Sequence, residues 1–373
     1  MYIQYYYDNI VSIMMKERIF EINSINFETL PVDFLTLPSN WKQITKEDSF
    51  STHIQVIVPA HNEEIIIGRI LNNLTSQIIP TSAKLTIDVI SNGTTDNTEL
   101  KVKKAQEELK FKIEKGILPK EVEIRFFSIE KASKSAAVNY GKVHAVSDIL
   151  INVDADTLPT SNSLSKIYAL MRHYPDCMAA SIMPKRAKNN KGSATLHNFQ
   201  DYYDSFTREN GAILGKFYAY RNGVLEDIPE NIMSDDTWLE FTCLDRYGQK
   251  SVRFLGQSQD TDVAIEYSST TKMTEYLFQL LRWESSFQHL MKIYPHLEKA
   301  CKMANRVEQP EKAIDVIKYM KDKYPQIPII DKLGMYYLLR TIRKITTIEA
   351  VSEKFGNRTN WVSPKSDRVD INY

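Results

Sequence analysis

From Ile54 to Met183 the chain alternates short apolar runs with amphipathic stretches, and this alternation limits its fold more than any other feature. Ile54–Val58, Leu85–Ile90, Val122–Ile129, Asp148–Asp156 and Met178–Met183 read as strands. Between them Glu64–Gln77, Thr98–Glu114, Ser135–Val146 and Ser161–His173 have helical spacing. The first of these puts Ile66, Ile67, Ile70, Leu71 and Leu74 on one face. Strands alternating with helices predict an α/β fold: a mainly parallel, doubly wound, Rossmann-like sheet with helices on both faces. Such sheets bind ligands beyond the carboxyl ends of their strands.

After Pro184 the pattern changes. A polar stretch from Lys185 to Gly192 precedes a predicted helix at Leu196–Arg208 and a short segment at Phe217–Arg221. Then come a helix at Thr237–Asp245, strands at Val252–Leu255 and Val263–Tyr267, and a helix at Thr274–Ile293. From Glu308 onward the chain reads as helical. The organisation is therefore an extension at 1–50, a main domain at 51–293 and a helical region at 294–373. No internal repeat is present.

Lys plus Arg and Asp plus Glu are 47 each, so bulk charge gives no sign of a nucleic-acid partner. Three scattered cysteines, Cys177, Cys243 and Cys301, argue against a disulfide framework or a zinc site. No signal peptide is evident, and no apolar run reaches the ~18 residues that cross a bilayer. The expectation is a cytoplasmic protein without a membrane span; peripheral membrane contact and a homodimer stay open.

The unusual residues fall where strands end. Asp154-Ala155-Asp156 closes the fourth strand; two carboxylates at a sheet edge are costly unless a cation or donor groups meet them. Alone this triplet could be a capped surface turn. The first strand runs into Pro59-Ala60-His61-Asn62-Glu63-Glu64, beside a helix N-terminus suited to a nucleotide, or a plain turn with Asn62 as cap. The second runs into Ser91-Asn92-Gly93-Thr94-Thr95-Asp96-Asn97-Thr98, a tight polar turn. Lys134-Ser-Ala-Ala-Val-Asn139 puts a cation at a helix N-terminus, electrostatically misplaced unless an anion is near.

In this order these segments resemble glycosyltransferase family 2, the inverting enzymes of the GT-A fold. Ser234-Asp235-Asp236 is similar to that family's Thr-Glu-Asp acceptor motif. Gln279-Leu-Leu-Arg282-Trp283 resembles the Gln-x-x-Arg-Trp motif of the branch with cellulose, chitin and hyaluronan synthases, and Gly215-Lys-Phe-Tyr-Ala-Tyr-Arg221 its Gly-x-x-x-Ala-x-Arg segment. The resemblance covers residues 54 to 290 and divides the main domain into a nucleotide-sugar half, 51–156, and an acceptor half, 157–293.

The resemblance implies a role for each matching residue. Asp154 and Asp156 would hold a divalent metal, Mn2+ or Mg2+, and the donor ribose, with Ala155 between them. Lys134 would face the donor phosphates, and Pro59, Ala60, His61 and Glu63 would line the nucleoside pocket. Asn92 stands where the family has Asp, which weakens the inference of UDP over GDP or dTDP. Asp236 would be the general base, Asp235 its acidic neighbour. Gln279 and Arg282 would support the diphosphate and Trp283 would stack on the acceptor sugar; spacings of three and four put all three on one helix face.

These implications predict a metal-dependent transferase taking sugar from a nucleotide-diphosphate donor, UDP-linked glucose or N-acetylglucosamine. The acceptor is a glycan, a lipid-linked sugar, a peptide or a small molecule. Lacking membrane helices, it would add one or a few sugars, not extrude a polymer. A silent nucleotide-sugar-binding protein is the alternative, disfavoured by three intact carboxylates. A sugar nucleotidyltransferase is another, disfavoured because the first turn lacks a Gly-rich basic loop.

Overall fold

The structure is a computed structural model. It describes residues 34–35, 53–80, 83–118, 121–182, 184–186, 213–232, 234–255, 265–267 and 272–304, with single positions between 193 and 200 and between 328 and 338. Most of the helix expected at 196–208 and of the tail beyond 308 lies outside the described residues.

The strands are β1 (Phe34–Leu35), β2 (His53–Ala60), β3 (Lys84–Asn92), β4 (Val122–Ile129), β5 (Ile149–Val153), β6 (Thr157–Pro159), β7 (Ala179–Ile182), β8 (Pro184–Arg186), β9 (Phe217–Arg221), β10 (Val252–Leu255) and β11 (Ile265–Tyr267). Among the described residues eight of them form one sheet, in the order β1-β10-β7-β9-β5-β2-β3-β4. All pairings are parallel except those of β9, which runs antiparallel to both β5 and β7. The doubly wound α/β expectation holds, with one reversed strand in the middle.

The helices are α1 (Ile67–Thr75), α2 (Thr98–Glu114), α3 (Lys134–Val143), α4 (Ser163–His173), α5 (Asp235–Tyr247), α6 (Met273–Ile293) and α7 (Glu298–Met303). They divide between the two faces of the sheet. Ile70, Leu71 and Leu74 of α1, Val102 of α2 and Leu164 and Ile167 of α4 pack on Val56, Ile87 and Ile151. On the other face Ala137 and Val138 of α3 and Leu239 and Phe241 of α5 cover Ile57, Ile90 and Leu150. Adjacent strand residues go to opposite cores, as the two-residue period demands.

Close packing of α3 depends on Gly141. A Cβ there would stand 2.8 to 2.9 Å from three side-chain carbons of Ile57, which is fully buried. Gly141→Ala gains about 1 kcal/mol of helix propensity but overpacks the core by about 1–3 kcal/mol. The expected net result is a less stable protein, read as a lower denaturation midpoint in urea.

Two features depart from the sequence reading. The segment before residue 50 is not wholly separate, since β1 pairs with β10 at the sheet edge. The run Asp148–Asp156 also does not stay in one strand. β5 ends at Val153, and Asp154 leaves the ladder because its N–H donates to the Lys216 carbonyl at 3.0 Å while its own carbonyl accepts the Thr157 N–H at 3.0 Å. That turn sends the chain into a second sheet, β6-β11-β8, and carries Asp154 and Asp156 between β5 and β6.

Helix α6 is anchored on α5 by its second half. Phe287 meets Phe241 edge-on at 5.6 Å, and Tyr294 lies 4.6 Å from Trp238. Leu297, Ala300 and Cys301 continue this contact, so the start of the tail is core. No helix among the described residues is long and apolar enough to cross a membrane.

Candidate functional site

Four strand ends and two helix starts meet at the carboxyl edge of the sheet. The turns after β2 and β3 are stitched together by side chains. Asn62, at φ 56°, accepts the Thr95 N–H at 2.8 Å; the Glu63 N–H reaches Thr98 Oγ1 at 2.8 Å, and the Glu64 N–H reaches Asp96 Oδ2 at 3.1 Å. Asn62 therefore ties two loops instead of capping a helix, and α1 begins five residues later. Gly93 lets the second turn close: its φ is 60°, and a Cβ would sit 2.7 Å from that of Ala132.

Pro59 and Ala60 end β2, and Glu63 is half-buried beside them. His61 Nδ1 lies 2.7 Å from the Asn92 backbone oxygen, which brings the two expected base-side residues together. Asn92 is 4% exposed, and its side-chain oxygen has no hydrogen-bond donor among the described residues. An orphan buried acceptor at this point suits a ligand N–H.

The acidic residues converge through Lys134. Its Nζ lies 2.8 Å from Asp154 Oδ1 and 3.3 Å from Asp235 Oδ2, and it donates to the Gly215 carbonyl at 2.9 Å. The cation at the start of α3, misplaced for the helix dipole, is thus held by protein carboxylates. Burial works against the Lys134 ammonium, but Asp154 and Asp235 outweigh it and keep it charged well above the usual lysine range. Burial pushes the Asp154 carboxyl up to about 6, against the pull of Lys134. Both side chains still meet solvent, 33% and 27% exposed, so they form a cleft floor and not a sealed pair.

Asp235 and Asp236 open α5 but occupy different surroundings. Asp235 is 5% exposed and accepts the Tyr218 hydroxyl at 2.6 Å. Burial raises its carboxyl, with Lys134 opposing. Burial and then Asp235 drive the Tyr218 phenol well above its usual range, so it serves as a fixed donor. Asp236 is half-exposed; its Oδ1 accepts from Ser234 Oγ and the Thr237 N–H, each at 2.8 Å. Those two bonds fix the carboxylate and turn its Oδ2 toward Gly215, where a Cβ would come within 3.0 Å. Gly215→Ala is therefore expected to displace the Asp236 carboxylate and lower kcat with the fold intact, read by steady-state kinetics beside circular dichroism.

Asp156, two residues after Asp154, has its Oδ2 3.7 Å from Lys216 Nζ. The described residues contain no group of three His, Cys, Asp or Glu side chains able to hold a metal. Asp154 and Asp156 offer two hard oxygen ligands on one turn, between β5 and β6. That fits Mn2+ or Mg2+, which are commonly held by one or two carboxylates with substrate phosphates and water supplying the rest.

Gln279, Arg282 and Trp283 fall on α6, all half-buried, about one turn before its anchor at Phe287. Arg221, the last residue of the Gly-x-x-x-Ala-x-Arg segment, is structural: its guanidinium donates to the carbonyls of Met171, Tyr174 and Cys177 and closes α4. Two positioning side chains escaped the sequence reading. Tyr218 is one. Asn139 is the other; its amide clasps the Ile228 backbone at 2.9 and 2.8 Å and so fixes the loop that leads to Asp235.

Residues 55–229 match the model of glycosyl transferase family 2. The match covers a little under half of the chain and supports a nucleotide-sugar glycosyltransferase. It spans the two loop turns, Lys134, Asp154, Asp156 and Gly215, and stops before Asp235, Asp236 and α6. A comparison with curated proteins found no match. Among solved structures, the mannosyltransferase PcManGT from Pyrobaculum calidifontis, in complex with GDP-Man and Mn2+, is 16% identical with a TM-score of 0.51, covering 94% of this chain and 92% of its own. That likeness shows the fold. TarS from S. aureus (15% identity, TM-score 0.44, 79% of this chain and 55% of its own) is more distant. So is glucosyl-3-phosphoglycerate synthase from Mycobacterium tuberculosis, in complex with Mn2+, UDP and glucosyl-3-phosphoglycerate (16%, 0.39, 59% and 75%).

Proposed function

We propose that this chain is a metal-dependent inverting transferase that moves a sugar from a nucleoside-diphosphate donor, UDP-linked, to an acceptor hydroxyl. The observation that carries the reading is the convergence of Asp154, Asp156, Asp235 and Asp236 on one cleft, with the acceptor-side pair split into a buried and a half-exposed carboxylate. Two carboxylates in unlike surroundings take unlike roles. Asp235, held by Lys134 and Tyr218, is scaffold. Asp236 is the base, its Oδ2 left for the acceptor O–H while Oδ1 is pinned.

The base takes the acceptor proton as the acceptor oxygen bonds to the anomeric carbon and the bond to the diphosphate breaks. Asp154 and Asp156 would hold a divalent cation, which when bound stabilises the charge of the leaving diphosphate. His61 and Asn92 would face the base, the orphan Asn92 oxygen accepting an N–H. Attack opposite the leaving group makes a β-linked product from an α-linked donor. The anomeric proton coupling of the product in NMR tests this; an α product would exclude Asp236 as sole catalyst of a single displacement.

A further inference from the structure

Asn139 lies on α3, the helix that opens with Lys134, but its amide reaches across to the segment that precedes α5. Nδ2 donates to the Ile228 carbonyl at 2.9 Å, and Oδ1 accepts the Ile228 N–H at 2.8 Å. One planar side chain therefore holds both backbone groups of one residue, which fixes place and direction together. We propose that Asn139 is the positioning residue for Asp236: it locks the chain at Ile228 against α3, and so sets where the base carboxylate at the start of α5 stands. This inference rests on the reading of Asp236 as the base.

Other contacts hold the same segment in weaker ways. Ile228 and Ile232 are buried in one core with Leu239 of α5, but apolar burial has no direction and cannot fix a register. Three ion pairs flank the segment: Glu226 with Arg246 at 2.7 Å, Asp227 with Lys142 at 2.6 Å, and Glu230 with Lys131. Their carboxylates are 75%, 71% and 41% exposed, and pairs so open to water contribute little. The Asn139 bonds count for more, because without them the N–H and carbonyl of a buried residue lose their partner. The support behind them is firm, since Gly141 seats α3 closely on Ile57. Past Ile228 the chain makes a turn, the Ile232 N–H donating to the Pro229 carbonyl at 3.4 Å, and enters α5, where Ser234 Oγ donates to Asp236 at 2.8 Å.

The test compares wild type with Asn139→Ala, Asn139→Asp, Asp236→Asn, Asn139→Ala/Asp236→Asn and the triple variant Glu226→Gln/Asp227→Asn/Glu230→Gln. Turnover is manganese-dependent release of nucleoside diphosphate from the nucleotide sugar that wild type hydrolyses fastest, measured well below every thermal midpoint. Affinity for that diphosphate is measured by calorimetry beside it. Asn139→Ala is expected to lower kcat about 10²-fold, the scale of a misplaced catalytic group, at wild-type affinity. Asn139→Asp keeps an acceptor for the Ile228 N–H but has no donor for its carbonyl, so it is expected to lose kcat as well. If the alanine variant does not fold, the aspartate variant carries the comparison, alone and with Asp236→Asn. Added to Asp236→Asn, the Asn139 change is expected to alter kcat by no more than about twofold, because both act through one carboxylate, while their midpoint shifts add. The triple variant is expected to keep kcat within about twofold of wild type. Turnover losses that multiply in the double variant, equal losses of affinity and kcat, or an unchanged kcat in the Asn139 variants overturn the proposal. A triple variant as slow as Asn139→Ala overturns it too. If wild type releases no diphosphate, or Asp236→Asn releases it at the wild-type rate, the reading of the site itself falls, and this inference with it.

Discussion

Asp236→Asn is expected to lower turnover by about 10³-fold, within the roughly 10²–10⁴-fold that a general base contributes, while donor binding stays at the wild-type level. The amide keeps the size of the carboxylate, and its oxygen can still accept from Ser234 and the Thr237 N–H. What it cannot do is take a proton at the atom that faces Gly215. Binding is spared because the donor-side residues Asp154, Asp156 and Asn92 lie on other loops. Turnover is measured as sugar transferred per enzyme, and donor binding by titration under the same conditions. Equal loss of binding and turnover would make Asp236 a scaffold residue, and undiminished turnover would remove it from the mechanism.

Asp156→Ala is expected to act on the other side of the same reaction. It should weaken Mn2+-supported binding of a nucleoside diphosphate by about a hundredfold or more, exceeding the roughly 10–100-fold cost of losing a partner behind a metal ligand. Asp156 is suited to this because it sits on the turn between β5 and β6, where among the described residues Thr157 Oγ1, at 3.2 Å, and the more distant Lys216 engage it. Chelating the metal from wild type should reproduce the variant's affinity, and the two treatments together should do no more than either. The variant should also unfold near the wild-type midpoint, since the side chain is partly exposed and its ion-pair partner Lys216 is 3.7 Å away. Additive losses would show that Asp156 binds the donor by a route independent of the metal.

The sheet could be read from the sequence because its central strands β2, β3, β5 and β7 are buried on both faces, which leaves apolar runs such as Ile54–Val58 flanked by helical spacing. The end of β5 could not. Its change of sheet depends on a hydrogen bond from Asp154 to the carbonyl of Lys216, a residue far along the chain and immediately before β9. Separation in sequence also hid the partners of Lys134. Charge at a helix start announced that an anion must be near, but composition cannot say whether that anion is a phosphate or Asp154 and Asp235. Tyr218 gave no signal at all. On a strand among other aromatic residues it looks like core, and only its 2.6 Å bond to Asp235 marks it as part of the site. The half-buried Arg125 on fully buried Asp88, with Gln55 on the same carboxylate, was equally silent, although it binds β2, β3 and β4 together.

The most direct measurement on the central claim is release of nucleoside diphosphate from a panel of nucleotide sugars, with manganese and with chelator, by the purified full chain and its Asp236→Asn form. Slow manganese-dependent hydrolysis of at least one donor by wild type, lost in the chelator arm and in the variant, is the expected result. A wild-type protein that leaves every donor untouched in manganese, and gains no thermal stability from any of them, contradicts it.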